Sequence, residues 1–213
     1  LALFSAGASV SKEFAPIARS QGLFVIDNSS AWREDSDIPL IVPEVNLEDY
    51  TLNRLIANPN CSTIQAVLPL KALQEAFGIQ RVNYSTYQAV SGSGQKGIED
   101  LHRTQNDEEP VLYPYNISQT VIPEIDQPLE NGYTKEEQKM INETRKILHQ
   151  PALPVSATCV RVPIENGHGV SVAVQLQKEF TTEEIRECLS QFPGIQLEDD
   201  LAAHKYPTSI LAR

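Results

Sequence analysis

Residues 23–27, Leu23-Phe24-Val25-Ile26-Asp27, hold four apolar side chains in a run too short for a helix, and the run ends on Asp27-Asn28-Ser29-Ser30. A short apolar run closed by turn residues reads as a strand buried on both faces, the kind found in parallel sheets covered by helices. Residues 11–21 ahead of it read as its crossover helix. Residues 39–43, bracketed by Pro39 and Pro43, form another short apolar run, and residues 54–57 lead into Asn58-Pro59-Asn60-Cys61. The whole stretch reads as the later half of a Rossmann-type sheet. A chain of 213 residues, at about 150 per domain, accommodates two lobes, one of them incomplete.

From Cys61 the period changes to that of a helix. Ile64, Val67, Leu68, Ala72 and Ala76 recur at three- and four-residue spacings until Gly78, with Pro69 placed to kink the helix. Val82, Tyr84, Thr86 and Gln88 then alternate with Asn83, Ser85 and Tyr87, a strand pattern running into Ser91-Gly92-Ser93-Gly94. Residues 106–132 are rich in proline and polar groups and are expected to form a long excursion with an interface role. Thr134 with Glu137 is a capping box that opens a helix carrying Met140, Thr144, Ile147 and Leu148 on one face. Strands over residues 155–162 and 170–176 follow, and a second capping box, Thr181 with Glu184, starts a last helix ending near Gln191. The second lobe is therefore expected to be α+β, with helices on one face of an antiparallel or mixed sheet.

Composition narrows the function. A hydrophobic fraction of 41%, a charged fraction of 21% and no apolar run near 18 residues describe a soluble globular chain without a membrane span. The first ten residues carry no basic region or cleavage signature, so a cytoplasmic location is expected. A net charge of -11 argues against a nucleic-acid surface, which needs clustered Lys and Arg. Cys61, Cys159 and Cys188 are odd in number and lack metal-ligand spacing, which disfavours a disulfide framework or a metal site.

Several residues are placed for chemistry. Asn-Pro-Asn-Cys sets the Cys61 sulfur in the opening turn of a helix, where unpaired N–H groups and the macrodipole favour a thiolate and can form an oxyanion hole. The competing reading is a small buried hydrophobe. His168 lies between glycines in Asn166-Gly167-His168-Gly169, a setting that suits acid–base catalysis but also describes an exposed loop residue. Arg161 is the one charge in the alternation Val155-Ala157-Cys159-Arg161, so it either points into a cleft to hold a carboxylate or snorkels from a strand end. Glu136 and Lys139 share a helix face, as a site pair or as a solvated ion pair. Gln88 closes its strand, and Ser91-Gly92-Ser93-Gly94 after it is a turn able to cradle a nicotinamide or phosphate.

Taken together, Ser5-Ala6-Gly7, Asp27-Asn28-Ser29-Ser30, residues 42–46 (Val-Pro-Glu-Val-Asn), Asn58-Pro59-Asn60-Cys61-Ser62-Thr63, residues 86–92 around Gln88 and residues 158–163 around Arg161 resemble the aspartate-β-semialdehyde dehydrogenases. Their order and spacing fit along nearly the whole chain. The resemblance implies Cys61 as the acylated nucleophile, His168 as general acid–base, Arg161 on the substrate carboxylate, Gln88 in substrate orientation and Glu136 on the substrate amino group. It implies Arg33 and Lys139 as phosphate ligands, with Asn60 beside the nucleophile, and Ser5, Ala6, Gly7, Ser91 and Gly92 lining an NADP(H) site.

The implied fold is α/β: the later part of a Rossmann-like NADP-binding domain over residues 1–60, then an α+β catalytic and dimerisation domain over residues 61–213. The implied reaction is the NADPH-dependent conversion of β-aspartyl phosphate to aspartate semialdehyde through a Cys61 thioester, a step toward lysine by way of diaminopimelate, threonine and methionine. A homodimer formed through the second lobe is implied as well. The family opens with a strand and glycine-rich turn and closes with a helix that returns to the cofactor lobe, and neither is found between Leu1 and Arg213, so an internal piece of a longer polypeptide is expected. The related N-acetyl-glutamyl-phosphate reductases share the chemistry but differ around the nucleophile, where Asn-Pro-Asn-Cys-Ser-Thr favours the first family. A catalytically silent homologue acting in protein interactions is the rival from another class, and retention of both Cys61 and His168 speaks against it.

Overall fold

Three short strands, β1 (Ala2–Phe4), β2 (Val25–Asp27) and β3 (Leu55–Ala57), lie side by side in that order and run parallel. In the computed structural model, which describes residues 1–50 and 53–210, helix α1 (Ala8–Ser20) makes the crossover from β1 to β2 that a parallel pair requires. It begins at Ala8, a turn earlier than residues 11–21 suggest, because Gly7 at φ 96° turns the chain from the strand directly into the helix. Strand β1 itself is not read in the sequence, since three residues are too few to show a period. Val25, Leu55, Ala57 and Ala15 of α1 are buried here.

The loop after β2 is tied down at both ends. Asp27, buried, accepts the Ser29 N–H at 3.1 Å and the Ser29 hydroxyl at 2.7 Å, an Asx turn that closes the strand. Further on, Leu40 pairs with Ala57 as a single parallel bridge, so the apolar run at residues 39–43 contributes one rung beside β3. Pro43 then opens the short helix α2 (Pro43–Asn46) at a position where its missing N–H costs nothing.

Helix α3 (Cys61–Phe77) follows the sequence reading, runs through Pro69 and stops at Gly78, whose φ of 72° is open to glycine at no steric cost. Helix α6 (Thr182–Gln191), with the expected Thr181/Glu184 capping box, lies against α3, and the Cys188 thiol donates to the Ala72 carbonyl at 3.4 Å.

The second sheet is mixed, with order β5-β4-β6: β4 (Ile79–Gln88) is central and β5 (Val155–Arg161) runs parallel to it. On the other side lies β6 (Gly169–Leu176), whose Gly169 sits beside Tyr87 while Gln177 just beyond it bonds Gly78, an antiparallel arrangement. Because β5 and β6 flank β4, the loop over residues 162–168 must cross the carboxyl end of β4. It is fixed there by Val162 N–H to Gln88 O, Val90 N–H to Ile164 O and Ser91 N–H to Glu165 O. The β4 alternation is as read: Val82, Tyr84, Thr86 and Gln88 are buried, and Asn83, Ser85 and Tyr87 face out.

Helix α4 (Gln95–Gln105) has no counterpart in the sequence reading, its core-facing positions being only Leu101 and Ile98 with polar Asp100 and Thr104. Leu101 joins Val90, Ile117 and Ile122 in a small core that covers the excursion at residues 106–132. The Asp100 carboxylate anchors the excursion by accepting the Val111 and Tyr113 N–H groups at 2.6 and 3.0 Å, and Ile122 pairs antiparallel with Arg161. Helix α5 (Lys135–Ile147) starts at the predicted capping box, with Thr134 and Glu137 bonded reciprocally, and buries Met140, Thr144, Ile147 and Leu148.

The chain divides into two units, each discontinuous in sequence: Leu1–Ile79 with Lys139–Leu153 and Leu176–Ile195, and Gln80–Gln138 with Pro154–Gln175 and Gln196–Arg213. A three-stranded parallel sheet with its crossover helix, followed by a mixed sheet with helices, is the expected α/β fold.

Candidate active site

The first unit carries Ser5, Ala6, Gly7, Arg33, Asn60, Cys61 and Lys139. Cys61 is the first residue of α3 and is exposed, so the buried-hydrophobe reading fails for it; it fits Cys159, which is buried. Asn60 is the N-cap. Its side-chain oxygen accepts the N–H groups of Ser62 at 2.9 Å and Thr63 at 3.2 Å, a contribution to the helix of about 1 kcal/mol. Those two donors are therefore engaged, and they cannot also serve the oxyanion expected from the helix start. The macrodipole still acts on the Cys61 sulfur, favouring the thiolate.

Arg33 is buried, not solvated, and its Nη1 donates to Glu143 Oε1 at 3.2 Å while Nη2 donates to the Asn28 carbonyl at 3.0 Å. Its Nε–H is buried with no acceptor, leaving hydrogen-bonding capacity for an added anion. Lys139 is half-buried on α5. At the carboxyl end of β1, Ser5, Ala6 and Gly7 are exposed and lead into α1, whose N-terminus has no side-chain cap. Carboxyl strand ends running into an uncapped helix are where nucleotide ligands of parallel α/β sheets sit, so these residues fit a dinucleotide.

The second unit carries Gln88, Ser91, Gly92, Glu136, Arg161 and His168. Gln88 and Arg161 are partners in the β4–β5 register and end their strands together on the buried face, 1% and 4% exposed. Arg161 is thus not a snorkelling strand-end charge. Its Nη1 donates to the Ala89 carbonyl at 2.6 Å, and its Nε–H is buried without an acceptor. The Gln88 amide is oriented at both ends, with Oε1 accepting the Thr86 hydroxyl and Nε2 donating to Glu136 Oε1, each at 3.0 Å. Glu136 is therefore buried against Gln88 and not part of a solvated ion pair.

His168 Nδ1 accepts the Ala89 N–H at 2.9 Å, so the neutral ring carries its proton on Nε2. Burial first, then the Arg161 guanidinium, push its pKa below the ordinary histidine value, and Glu136 pulls weakly the other way. Gly92 closes this cluster. A Cβ there would lie 2.7 Å from Arg161 Nη1 and 3.4 Å from His168 Cε1, so only glycine admits the guanidinium at that depth. Ser91, beside it, is half-buried in the 3₁₀ turn Val90–Ser93.

Sequence reasoning missed two residues of α5. Glu143, 1% exposed, holds Arg33 and also accepts the Asn60 N–H at 2.6 Å, and Lys146 bonds the backbone of the Arg33 loop. The signal was present: Glu143 falls between Met140 and Ile147 on the apolar face of the helix, where a lone carboxylate needs a buried partner.

Two family models match the chain: one described as semialdehyde dehydrogenase, dimerisation domain, over residues 70–213, and one described as semialdehyde dehydrogenase, NAD binding domain, over residues 1–52. Among curated relatives, the aspartate-semialdehyde dehydrogenase of Aquifex aeolicus is 50% identical over 100% of this chain and 65% of its own length. That of Bacillus subtilis is 49% identical over 97% of this chain and 64% of its own. The chain thus spans less than two thirds of the relatives it matches. Among solved structures, aspartate semialdehyde dehydrogenase II of Vibrio cholerae complexed with ASA superposes with a TM-score of 0.91 at 43% identity, over 98% of this chain and 64% of that one. The Candida albicans aspartate semialdehyde dehydrogenase with NADP gives a TM-score of 0.68 at 26% identity, over 90% of this chain and 55% of that one. With both parts of the fold matched in order by family models and by relatives along nearly the whole chain, the chain belongs to the semialdehyde dehydrogenase family and resembles its aspartate-semialdehyde dehydrogenases.

Proposed function

We propose that the protein is an NADP-dependent, phosphorylating aspartate-β-semialdehyde dehydrogenase, which in the biosynthetic direction converts β-aspartyl phosphate to aspartate semialdehyde on the route to lysine, threonine and methionine. The observation that carries this reading is Cys61, an exposed thiol at the first position of an Asn60-capped helix in a chain of this family. The Cys61 thiolate attacks the acyl carbon, a C–S bond forms, the C–O bond to phosphate breaks, and phosphate leaves with the electron pair. The hydride that then reduces the thioester is the chemistry NADPH supplies when bound. The likeness to the Candida albicans enzyme with NADP supports that cofactor.

The remaining roles are those the family resemblance implies, supported, where it bears on them, by the geometry within each unit. Arg161 offers guanidinium donors to the substrate carboxylate, and Gln88 and Glu136, locked to each other, receive its amino end. By the resemblance, Arg33 and Lys139 are assigned to phosphate, and Ser5, Ala6 and Gly7 of the first unit and Ser91 and Gly92 of the second are each assigned to the cofactor. With Nδ1 engaged by the Ala89 N–H, His168 acts from Nε2–H, donating to the oxygen on which charge develops and holding the proton there. Residues 1–60 form the part that mainly serves the cofactor, and residues 61–213, apart from Ser91 and Gly92, serve catalysis and dimerisation.

The activity is tested by phosphate-dependent reduction of NADP with aspartate semialdehyde, using the full natural polypeptide. Turnover that needs phosphate and is absent with N-acetylglutamate semialdehyde is expected; the opposite preference would place the protein with the acetylglutamyl-phosphate reductases. In the same assay Arg161→Lys is expected to lose about 2 kcal/mol of carboxylate binding, because a point charge replaces a planar fork. Near-parental KM for the semialdehyde would remove Arg161 from that role.

A homodimer is proposed through the outward face of the second sheet, where Asn83, Ser85 and Tyr87 of β4, Thr158 of β5 and Ser171, Ala173 and Gln175 of β6 are exposed. The description of the family model that spans this sheet supports a second copy as the occupant. Tyr87→Arg on that face should shift the sedimentation mass from dimer to monomer. A monomeric parent, or an unshifted variant, rules this face out. Among the described residues no helix is long and apolar enough to cross a membrane.

A further inference from the structure

We propose that Glu143 is a positioning residue that sets the anion-binding guanidinium of Arg33 against the start of the nucleophile's helix, a role that rests on the reading of Arg33 as a phosphate ligand. Both of its carboxylate oxygens are engaged: Oε1 takes Arg33 Nη1 at 3.2 Å, and Oε2 takes the backbone N–H of Asn60, the residue before Cys61, at 2.6 Å. One buried anion therefore spans 83 residues to Asn60 and 110 residues to Arg33 in sequence. The geometry fixes three things at once: the plane of the guanidinium, the backbone that aims Asn60 as N-cap, and through it the position of Cys61.

Lys146, one turn further along α5, completes the grip from the backbone side. Its ammonium donates to the carbonyls of Arg33 at 2.9 Å, Asp35 at 2.6 Å and Ile38 at 3.0 Å, which uses all three of its protons. Burial pushes its pKa down, while Glu34, Asp35, Asp49 and Glu143 raise it. The loop that bears Arg33 has no regular secondary structure of its own between β2 and Leu40, so without these contacts the guanidinium would sample many placements. A side chain held by Glu143 on a backbone held by Lys146 meets an anion already oriented.

The test is a double-mutant cycle in the full natural enzyme, read as KM for inorganic phosphate, KM for the semialdehyde and kcat. Glu143→Gln keeps the shape but replaces one acceptor oxygen with an amide donor, so it cannot accept from both Arg33 and the Asn60 N–H in the same way. It is expected to raise the phosphate KM about tenfold or more, with the semialdehyde KM within roughly twofold. If Glu143 acts through Arg33, the Arg33→Ala/Glu143→Gln double variant has the phosphate KM of Arg33→Ala alone. Should Glu143→Gln fail to fold, Glu143→Asp gives the same readout, since it keeps the charge but withdraws it by one methylene.

An unchanged phosphate KM in the Glu143 variants, with a raised one in Arg33→Ala, overturns this inference and leaves the phosphate reading standing. Effects that multiply in the double variant overturn it by showing that Glu143 acts independently of Arg33, and a lowered melting temperature with all three kinetic constants kept overturns it by making Glu143 purely structural. An unchanged phosphate KM in Arg33→Ala itself overturns the phosphate reading and this inference with it.

Discussion

Replacing His168 by alanine is expected to lower kcat by roughly 10²- to 10⁴-fold while leaving substrate KM values near those of the parent. The ring meets its surroundings through the Ala89 N–H on Nδ1, so the neutral form presents a proton at Nε2 and the imidazolium would set two donors against each other. Burial and Arg161 act in the same direction, depressing the pKa. The sign for pH follows. A depressed pKa keeps the active neutral ring through neutral and alkaline pH, and activity due to His168 is lost as pH falls through that depressed value, below the ordinary histidine range. The acid limb of the kcat profile should therefore disappear in His168→Gln, which retains an N–H donor and should recover part of the rate lost in His168→Ala. An alkaline limb that vanishes with the histidine would show an obligatory imidazolium and sink this account of the residue. A variant impaired only in KM would take His168 out of the chemistry.

How much of this was legible in the sequence depends on the range over which each signal acts. The capping boxes at Thr134/Glu137 and Thr181/Glu184, the glycine stop at Gly78 and the β4 alternation are local and were read correctly. Strand β1 was missed because it has three residues, and α4 because its apolar positions are sparse and Asp100 and Thr104 are buried among them. The return of residues 139–153 and 176–195 to the unit of the first sheet is a long-range packing outcome, which no local period encodes.

The site shows the same division. Arg161 and Gln88 stood out as polar residues on an apolar alternation, and the β4–β5 register that brings them side by side was not readable. The helix spacing leaves Glu136 open as a site residue or half of a solvated ion pair, and only the fold sets it against Gln88. Glu143 carried a real signal, a carboxylate on the buried stripe of α5, but its partners Arg33 and Asn60 lie on other elements far away in sequence. The orientation of His168 is set by the crossing of the residue 162–168 loop over β4, a consequence of strand order alone.

The largest effect is expected at Cys61. Cys61→Ala should abolish turnover, because the acyl group then has no nucleophile to receive it, whereas Cys159→Ala and Cys188→Ala should retain activity. Cys159 is buried with its N–H bonded to Glu137, and burial together with Glu75 pushes the Cys188 thiol pKa up, away from a reactive thiolate. The most direct measurement supplies β-aspartyl phosphate to the full natural enzyme without NADPH, then follows phosphate release and the intact mass of the protein. A burst approaching one phosphate per active site, with an aspartyl adduct that maps to Cys61 and is absent from Cys61→Ala, is the predicted result. Substantial reduction of acyl phosphate by Cys61→Ala once NADPH is added would mean that no thioester is needed, and would contradict the mechanism at its centre.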